Sequence, residues 1–294
     1  MDHEAELAVV RQAYAKQILA EAGVADRRIC AAFAQVRRED FLGPGPWPMM
    51  RAPGIYSASP EADPVYLYTN RLVGLISERG INNGQPSLHA MLLAAAEIRE
   101  GEHVVHVGAG TGYYTAIMAC LAGPAGRVTA IECDRELAER ARQCLSGFAN
   151  VRVIHANGAA AAFDPADVIY VNAGVTHPAE AWLDSLTDGG RLILPLTTDE
   201  NIPSMKAASF DPKKAMRTGA YFRIRHTGGK FEARWLLPVA LIPAEGAREK
   251  AAEAALAAAF ERGGWQRVTR LVRGESEPLG DCWLRGERWS LVQD

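Results

Sequence analysis

The chain has 294 residues, 48% of them hydrophobic and 23% charged, which fits one large α/β domain or one domain with an appended piece. A net charge of −3 gives no electrostatic footprint for nucleic acid, and no apolar run approaches the roughly 20 residues that cross a bilayer. The five scattered cysteines form no CxxC pair, and the acidic start lacks the order of a secretory signal. The expectation is a cytoplasmic protein with reduced, mostly buried thiols.

Apolar positions at helical spacing (Leu7, Val10, Tyr14, Ile18, Leu19) predict a helix over residues 4–22, stopped by Gly23. A second helix starts near Asp26, with Ile29, Phe33 and Val36 on one face. Gly43–Pro44–Gly45–Pro46–Trp47–Pro48 then reads as irregular chain, extending as a long loop to about Pro64. After Asn82–Asn83–Gly84–Gln85, Pro86 suits a first helical turn, and an apolar helix follows to Ile98. Glu100–Gly101–Glu102 is the turn into the next strand.

That strand leads into the most informative stretch of the chain. Val104–Val105–His106–Val107 runs into Gly108–Ala109–Gly110–Thr111–Gly112 and then a helix over Tyr114–Leu121. Glycines admit positive φ and close backbone approach, and a helix start offers free N–H groups to an anionic or polar ligand. A second strand, Val128–Thr129–Ala130–Ile131, ends at Glu132, 24 residues after Gly108, where a doubly wound fold holds a ribose through its hydroxyls. A dinucleotide site wants a third glycine where Tyr113 stands, so the pattern favours an adenosyl ligand over a nicotinamide.

Helix 135–145 and strand 151–154 follow, the latter ending at His155–Ala156–Asn157–Gly158. Strand 167–171 comes next and leaves through Asn172–Ala173–Gly174. A helix over 178–186, a stop at Asp188–Gly189–Gly190 and a fifth strand over 191–195 complete the alternation. Such alternation implies a mainly parallel sheet with right-handed crossovers. Segments 221–225 and 231–241 flank Gly228–Gly229 as an antiparallel hairpin closing the sheet. The tail carries an alanine-rich helix to about Phe260 and two strand candidates, 266–273 and 282–289, the second with a break at Gly286. The seven histidines are dispersed and form no metal-ligand pattern.

The expected fold is therefore a Rossmann-like doubly wound α/β sheet with a C-terminal hairpin. Residues 1–80 form a helical part with a substrate-side loop, 81–245 the core, and 246–294 a small α+β extension that is also a candidate homodimer contact.

In these segments the chain resembles class I S-adenosylmethionine-dependent methyltransferases, and among them protein-L-isoaspartate O-methyltransferases. The likeness runs over residues 10–245 and is most specific at 188–195 and 236–239, with 104–113 and 37–41 in support. The resemblance implies S-adenosyl-L-methionine as cofactor and S-adenosyl-L-homocysteine as product. It places Gln85, His106, Gly108, Ala109, Gly110, Thr111, Gly112, Tyr113, Glu132, Cys133, Asn157, Gly158 and Asn172 around the cofactor. It also implies that Asn82, Asn83 and Gly84 lie at the methyl-transfer side, where the family carries Thr-Ile-Ser. The hydroxyl is thus missing, His106 stands where the family has an acid, and Asn157 where it has an aspartate near the adenine. Three functions follow. The first is methyl transfer to a carboxylate of a peptide or protein, and the second is methyl transfer to a small molecule on the same fold. The third is a cofactor-binding but non-catalytic interaction protein. A base for an amine or hydroxyl acceptor would have to come from His89, His106 or His177.

Overall fold

The computed structural model describes residues 3–199, 218–274 and 281–293. The chain divides into two compact units, Met1–Glu102 with Ala109–His155, and His103–Gly108 with Ala156–Asp294.

The first unit opens with helices α1 (His3–Ala22) and α2 (Arg27–Gln35). Asp26 caps α2, its side chain accepting from the backbone N–H groups of Arg28 and Ile29. Next comes a departure from the expected loop. Strands β1 (Pro48–Ala52) and β2 (Ile55–Ala58) form an antiparallel hairpin, Met49 facing Ser57 and Met50 facing Tyr56. The prolines and glycines that signal a loop sit at its entry and turn, while Trp47 and Met49 bury into a small cluster with Leu42, Leu67 and Val73. That apolar anchor holds the hairpin. Short strands β3 (Gly74–Ile76) and β4 (Ile81–Asn82) pair, and α3 (Pro86–Ala96) begins at Pro86 as expected. Helix α4 (Tyr113–Ala122) buries nine of its residues, so it is a core helix with no solvated face. Strands β6 (Arg127–Glu132) and β7 (Val151–His155) pair in parallel around α5 (Arg135–Cys144), with Glu132 opposite His155.

In the second unit β5 (His103–Val107) is buried at all five positions, as a parallel strand covered on both faces should be. It pairs in parallel with β8 (Ala166–Val171), and β8 with β9 (Leu186–Thr197). Helix α6 is only Glu180–Asp184, shorter than the predicted 178–186, because β9 already begins at Leu186. Asp188–Gly189–Gly190 is accordingly not a stop between elements but a bulge inside β9. Ala166 faces Leu186 while Val168 already faces Arg191, and Gly189 takes φ +82°. β10 (Gly219–Thr227) and β11 (Lys230–Pro238) form the expected hairpin, with positive φ at both Gly228 and Gly229.

The hairpin does not close the sheet. After α7 (Lys250–Arg262) the tail adds β12 (Val268–Arg273), which pairs with β11 through Phe231–Leu271 and Glu232–Arg270. The candidate over 282–289 is broken at Gly286 as expected and gives two strands, β13 (Asp281–Arg285) and β14 (Trp289–Gln293), the second running on to Gln293, antiparallel neighbours in the order β12–β14–β13. None of the five cysteines is in a disulfide, but none is fully buried and Cys133 is exposed, contrary to the expected buried thiols. The basic run from Lys213 to Arg217 lies outside the described residues. Among the described residues no helix is long and apolar enough to cross a membrane.

Candidate active site

The glycine loop is held by its own backbone and one acid. In the first unit the Ala109 N–H donates to Ile131 O at 3.2 Å, and the Gly112 N–H donates back to Ala109 O at 3.0 Å. The Gly110 N–H donates to Glu132 Oε2 at 2.7 Å, and Oε1 of the same carboxylate accepts from Asp134 N–H at 2.9 Å. Glu132 is 6% exposed, so a buried charge is being met by backbone donors, as it must be. A carboxylate has about four acceptor positions, which leaves capacity for ribose hydroxyls beside the two amides. Gly112 has φ +97°, and a Cβ there would come within 2.6 Å of Leu145 Cδ1. A side chain at that corner is strained by the positive φ and has to displace Leu145.

Other expected contacts divide by atom. Thr111 is buried, and Tyr113 turns its ring inward, 5.7 Å from Phe41 and 4.9 Å from Tyr114, with the Arg38 guanidinium 5.8 Å over its face. Tyr113 is therefore a packing residue in its side chain, and only its backbone at the start of α4 faces the loop chemistry. Cys133 is exposed, its carbonyl accepting from His155 Nε2 at 3.0 Å.

In the second unit Gly108 sits at φ +77°, its carbonyl accepting from Asn172 Nδ2 at 3.4 Å, while Asn172 N–H donates to Val107 O at 2.8 Å. A Cβ on Gly108 would lie 3.1 Å from Asn172 O, so the two predicted residues are brought together in one corner. His106 is fully buried with its ring edge-on to Tyr170 at 5.5 Å, and burial lowers its pKa to about 3. It is a neutral imidazole at any pH of interest, not a replacement for an acid and not a proton carrier. Asn157 is exposed, and both ends of its amide are in use: Nδ2 donates to Gly246 O at 3.2 Å, and Oδ1 accepts from Ala159 N–H at 3.0 Å. A Cβ on Gly158 would lie 2.3 Å from Val107 Cγ1, and its carbonyl accepts from Trp182 Nε1 at 2.8 Å.

The segment 82–85 is wired differently. Asn82 Oδ1 accepts from Gly84 N–H at 2.9 Å and its Nδ2 donates to Gly80 O at 3.1 Å, which makes a self-contained turn. Asn83 is 7% exposed, and its Oδ1 accepts from Val73 N–H at 2.9 Å and from Arg38 Nη2 at 3.3 Å. Gly84 has φ +77°, and its carbonyl accepts from Tyr114 OH at 3.3 Å. Gln85 is exposed at the N-cap of α3. Of the alternative bases, His89 is buried and stacked on Tyr114, while His177 Nδ1 pairs with Thr176 Oγ1 at 3.0 Å.

Arg38 is the residue that sequence reading missed. Fully buried, it donates to the carbonyls of Leu67 (2.5 Å), Thr69 (3.0 Å) and Arg71 (2.7 Å) as well as to Asn83. It holds the chain before the 82–85 turn in place. Nothing in a single sequence marks an arginine whose partners are carbonyls some 30 residues away.

The fold defines the class. A solved protein-L-isoaspartate O-methyltransferase aligns over 96% of this chain and 88% of its own, with TM-score 0.64 and 21% identity. A Plasmodium falciparum structure, described as a putative protein-L-isoaspartate O-methyltransferase in complex with S-adenosyl-L-homocysteine, covers 80% of this chain and 98% of its own. Its TM-score is 0.60 at 18% identity. The architecture is thus the Rossmann-like methyltransferase fold expected from the strand–loop–helix pattern.

The family is defined by sequence. Residues 57–218 match the sequence model of the family Protein-L-isoaspartate(D-aspartate) O-methyltransferase (PCMT), and the chain belongs to that family. The protein-L-isoaspartate O-methyltransferase of Ignicoccus hospitalis is 36% identical over 163 residues, 54% of this chain and 69% of that protein. The one from Thermotoga maritima is 32% identical over 187 residues, 61% of this chain and 53% of that protein. The chain thus spans only about half the length of the Thermotoga relative.

Proposed function

We propose that the protein is an S-adenosylmethionine-dependent methyltransferase whose acceptor is a carboxylate of a peptide or protein. The observation that carries this reading is the Gly110–Glu132 corner, a left-handed glycine loop tied to a buried carboxylate at the head of a core helix. Gly108, Ala109, Gly110, Thr111, Gly112 and the Tyr113 backbone would line the amino-acid part of the cofactor. Glu132 would hold the ribose, and His106, Cys133, Asn157, Gly158 and Asn172 would border the adenosyl group. The residues fit such a ligand. Glu132 keeps acceptor capacity, and the first turn of α4 presents backbone donors.

When bound, S-adenosylmethionine supplies an electrophilic methyl group and leaves as S-adenosylhomocysteine. Around it the chain's residues position and desolvate, and those effects supply most of the acceleration of such a displacement. A carboxylate acceptor is already ionised at neutral pH and needs no base. That agrees with a site whose buried histidine, His106, is held neutral. Asn82, Asn83, Gly84 and Gln85 would form the acceptor side. Five cysteines with no disulfide among them support a reducing compartment, the cytoplasm.

The test is radiolabelled methyl transfer to an isoaspartyl peptide and to its aspartyl counterpart. Base-labile methyl ester on the isoaspartyl peptide is the expected result. Cofactor binding with no ester on either peptide would move the acceptor to a different chemistry.

A further inference from the structure

The segment that leads from the core into the C-terminal extension is strapped across the exit of β8, and it holds one exposed amide in a fixed orientation. Gly174 N–H donates to Ile242 O at 2.8 Å, and Ala244 N–H returns to Gly174 O at 2.9 Å. Glu249 N–H donates to Thr176 Oγ1 at 3.2 Å. Arg248 clamps the same end. Its Nη1 donates to Gly174 O at 2.9 Å and to Thr197 Oγ1 at 3.2 Å, and its Nη2 pairs with Asp199 and Glu253. Between these pins Gly246 comes against Asn157. A Cβ on Gly246 would lie 2.3 Å from Nδ2 of Asn157, and Gly246 takes φ +73°, so a side chain there would be strained and would displace the amide. All of these residues belong to the second unit, and residues 242–249 lie beyond the stretch 57–218 that the family model matches.

We propose that Gly246 is a positioning residue for cofactor recognition, its carbonyl fixing the Asn157 amide in the one orientation that accepts adenine and rejects hypoxanthine. The assignment rests on the reading given above that Asn157 borders the adenosyl group. A side-chain amide can turn over and exchange its donor and acceptor ends. Here it is held. Nδ2 donates to Gly246 O at 3.2 Å and Oδ1 accepts from Ala159 N–H at 3.0 Å. Turned over, Oδ1 would face the Gly246 carbonyl and Nδ2 the Ala159 N–H, acceptor against acceptor and donor against donor. An amide carries two N–H donors and two acceptor positions, so this exposed one keeps a donor and an acceptor for a ligand. Adenine presents an amine that donates beside ring nitrogens that accept, the complement of that pair. Hypoxanthine has a carbonyl in place of the amine, which sets a second acceptor against the fixed Oδ1. A carboxylate at residue 157 would need no such device, because it accepts whichever way it turns. Gly246 and Asn157 then form a linked pair, in which the strap supplies the orientation that an aspartate has by itself.

The experiment measures calorimetric affinities for S-adenosylhomocysteine and S-inosylhomocysteine, which differ at that amine and the adjoining ring nitrogen. It compares wild type, Asn157→Ala, Gly246→Ala and Arg248→Ala, and Asn157→Asp with and without Gly246→Ala. Near-UV circular dichroism follows the fold of each. Wild type should bind the adenosyl ligand at least about tenfold more tightly than the inosyl one, the size of one matched base edge. Asn157→Ala should weaken the adenosyl ligand about tenfold and bring the ratio towards one. Gly246→Ala and Arg248→Ala, which shift or loosen the strap and leave the amide, should lower the ratio without abolishing binding. In the Asn157→Asp background Gly246→Ala should leave the ratio as it is. Where Gly246→Ala alters the fold, Arg248→Ala decides. A wild-type ratio near one, or a ratio that the strap variant leaves unchanged, would overturn the assignment. So would a ratio lost equally in the asparagine and aspartate backgrounds, which would mark the strap as general support. A ratio untouched by Asn157→Ala would overturn the placement of Asn157 beside the adenine and the assignment with it. Absence of adenosyl binding by wild type would overturn the cofactor reading itself.

Discussion

Residues 109–112 of the glycine loop and the turn at 82–85 belong to one compact unit, yet they are stabilised by opposite means. The loop is closed by short-range backbone bonds and by Glu132, within 22 residues of Gly110. The turn depends on Arg38, 45 residues away from Asn83, and on a histidine and a tyrosine from two different helices. The difference teaches where this family member is free to vary. The proposed cofactor corner needs glycines and an acid in a fixed local pattern. The proposed acceptor corner needs only that distant side chains hold a turn, which here are Arg38, His89 and Tyr114.

The largest test of that contrast is Arg38→Ala. It removes the charged donor shared by three backbone carbonyls and the Asn83 amide oxygen, although Leu67 O keeps the Thr69 N–H and Asn83 Oδ1 keeps the Val73 N–H. We expect about 3–5 kcal/mol of lost stability in urea unfolding. A loss below about 1 kcal/mol would mean that the 67–83 segment is held some other way. Next comes Gly112→Ala, which places a Cβ against Leu145 at an unfavourable φ. About 2–3 kcal/mol of destabilisation, with weakened cofactor binding, should follow.

What was legible in the sequence follows the same division. Strand β5, the glycine loop, α4, β6 and Glu132 announced themselves because alternation, glycine spacing and a terminal acid are local signals. Asp26 was readable for the same reason, as a capping side chain ahead of an amphipathic helix. The β1–β2 hairpin was hidden by the glycine and proline residues at its borders, and its stability comes from Trp47 and Met49 meeting Leu67 and Val73 far along the chain. The bulge at Asp188–Gly190 looked like a helix stop because both use positive-φ glycine. Only the register against β8 separates the two. Arg38 lies in the 37–41 segment that supports the resemblance and His89 was a candidate base, but the packing roles of Arg38, His89 and Tyr114 appear only when the helices are packed.

A smaller effect sharpens the reading of His106. Its pKa is lowered by burial to about 3, so the folded protein does not take up the proton that the unfolded chain binds near pH 6.5. Stability is therefore full above about pH 6.5 and falls as pH drops from there towards 3, by up to about 1.4 kcal/mol per unit from this residue. Denaturation of His106→Asn across that window should lack this part of the slope, and an unchanged slope would mean that other groups set the acid limb. The smallest effect belongs to Arg79→Ala. It removes a solvent-facing pair with Asp134 and should cost less than about 1 kcal/mol, fading as salt is added.

The central claim is that a buried carboxylate and a left-handed glycine loop form an adenosyl-methionine site. Calorimetric titration of wild type and Glu132→Ala with S-adenosylmethionine and S-adenosylhomocysteine tests it most directly. The account predicts saturable binding of both ligands by wild type and at least about a tenfold loss in Glu132→Ala. Absence of binding by wild type, or equal binding by the two proteins, would contradict it.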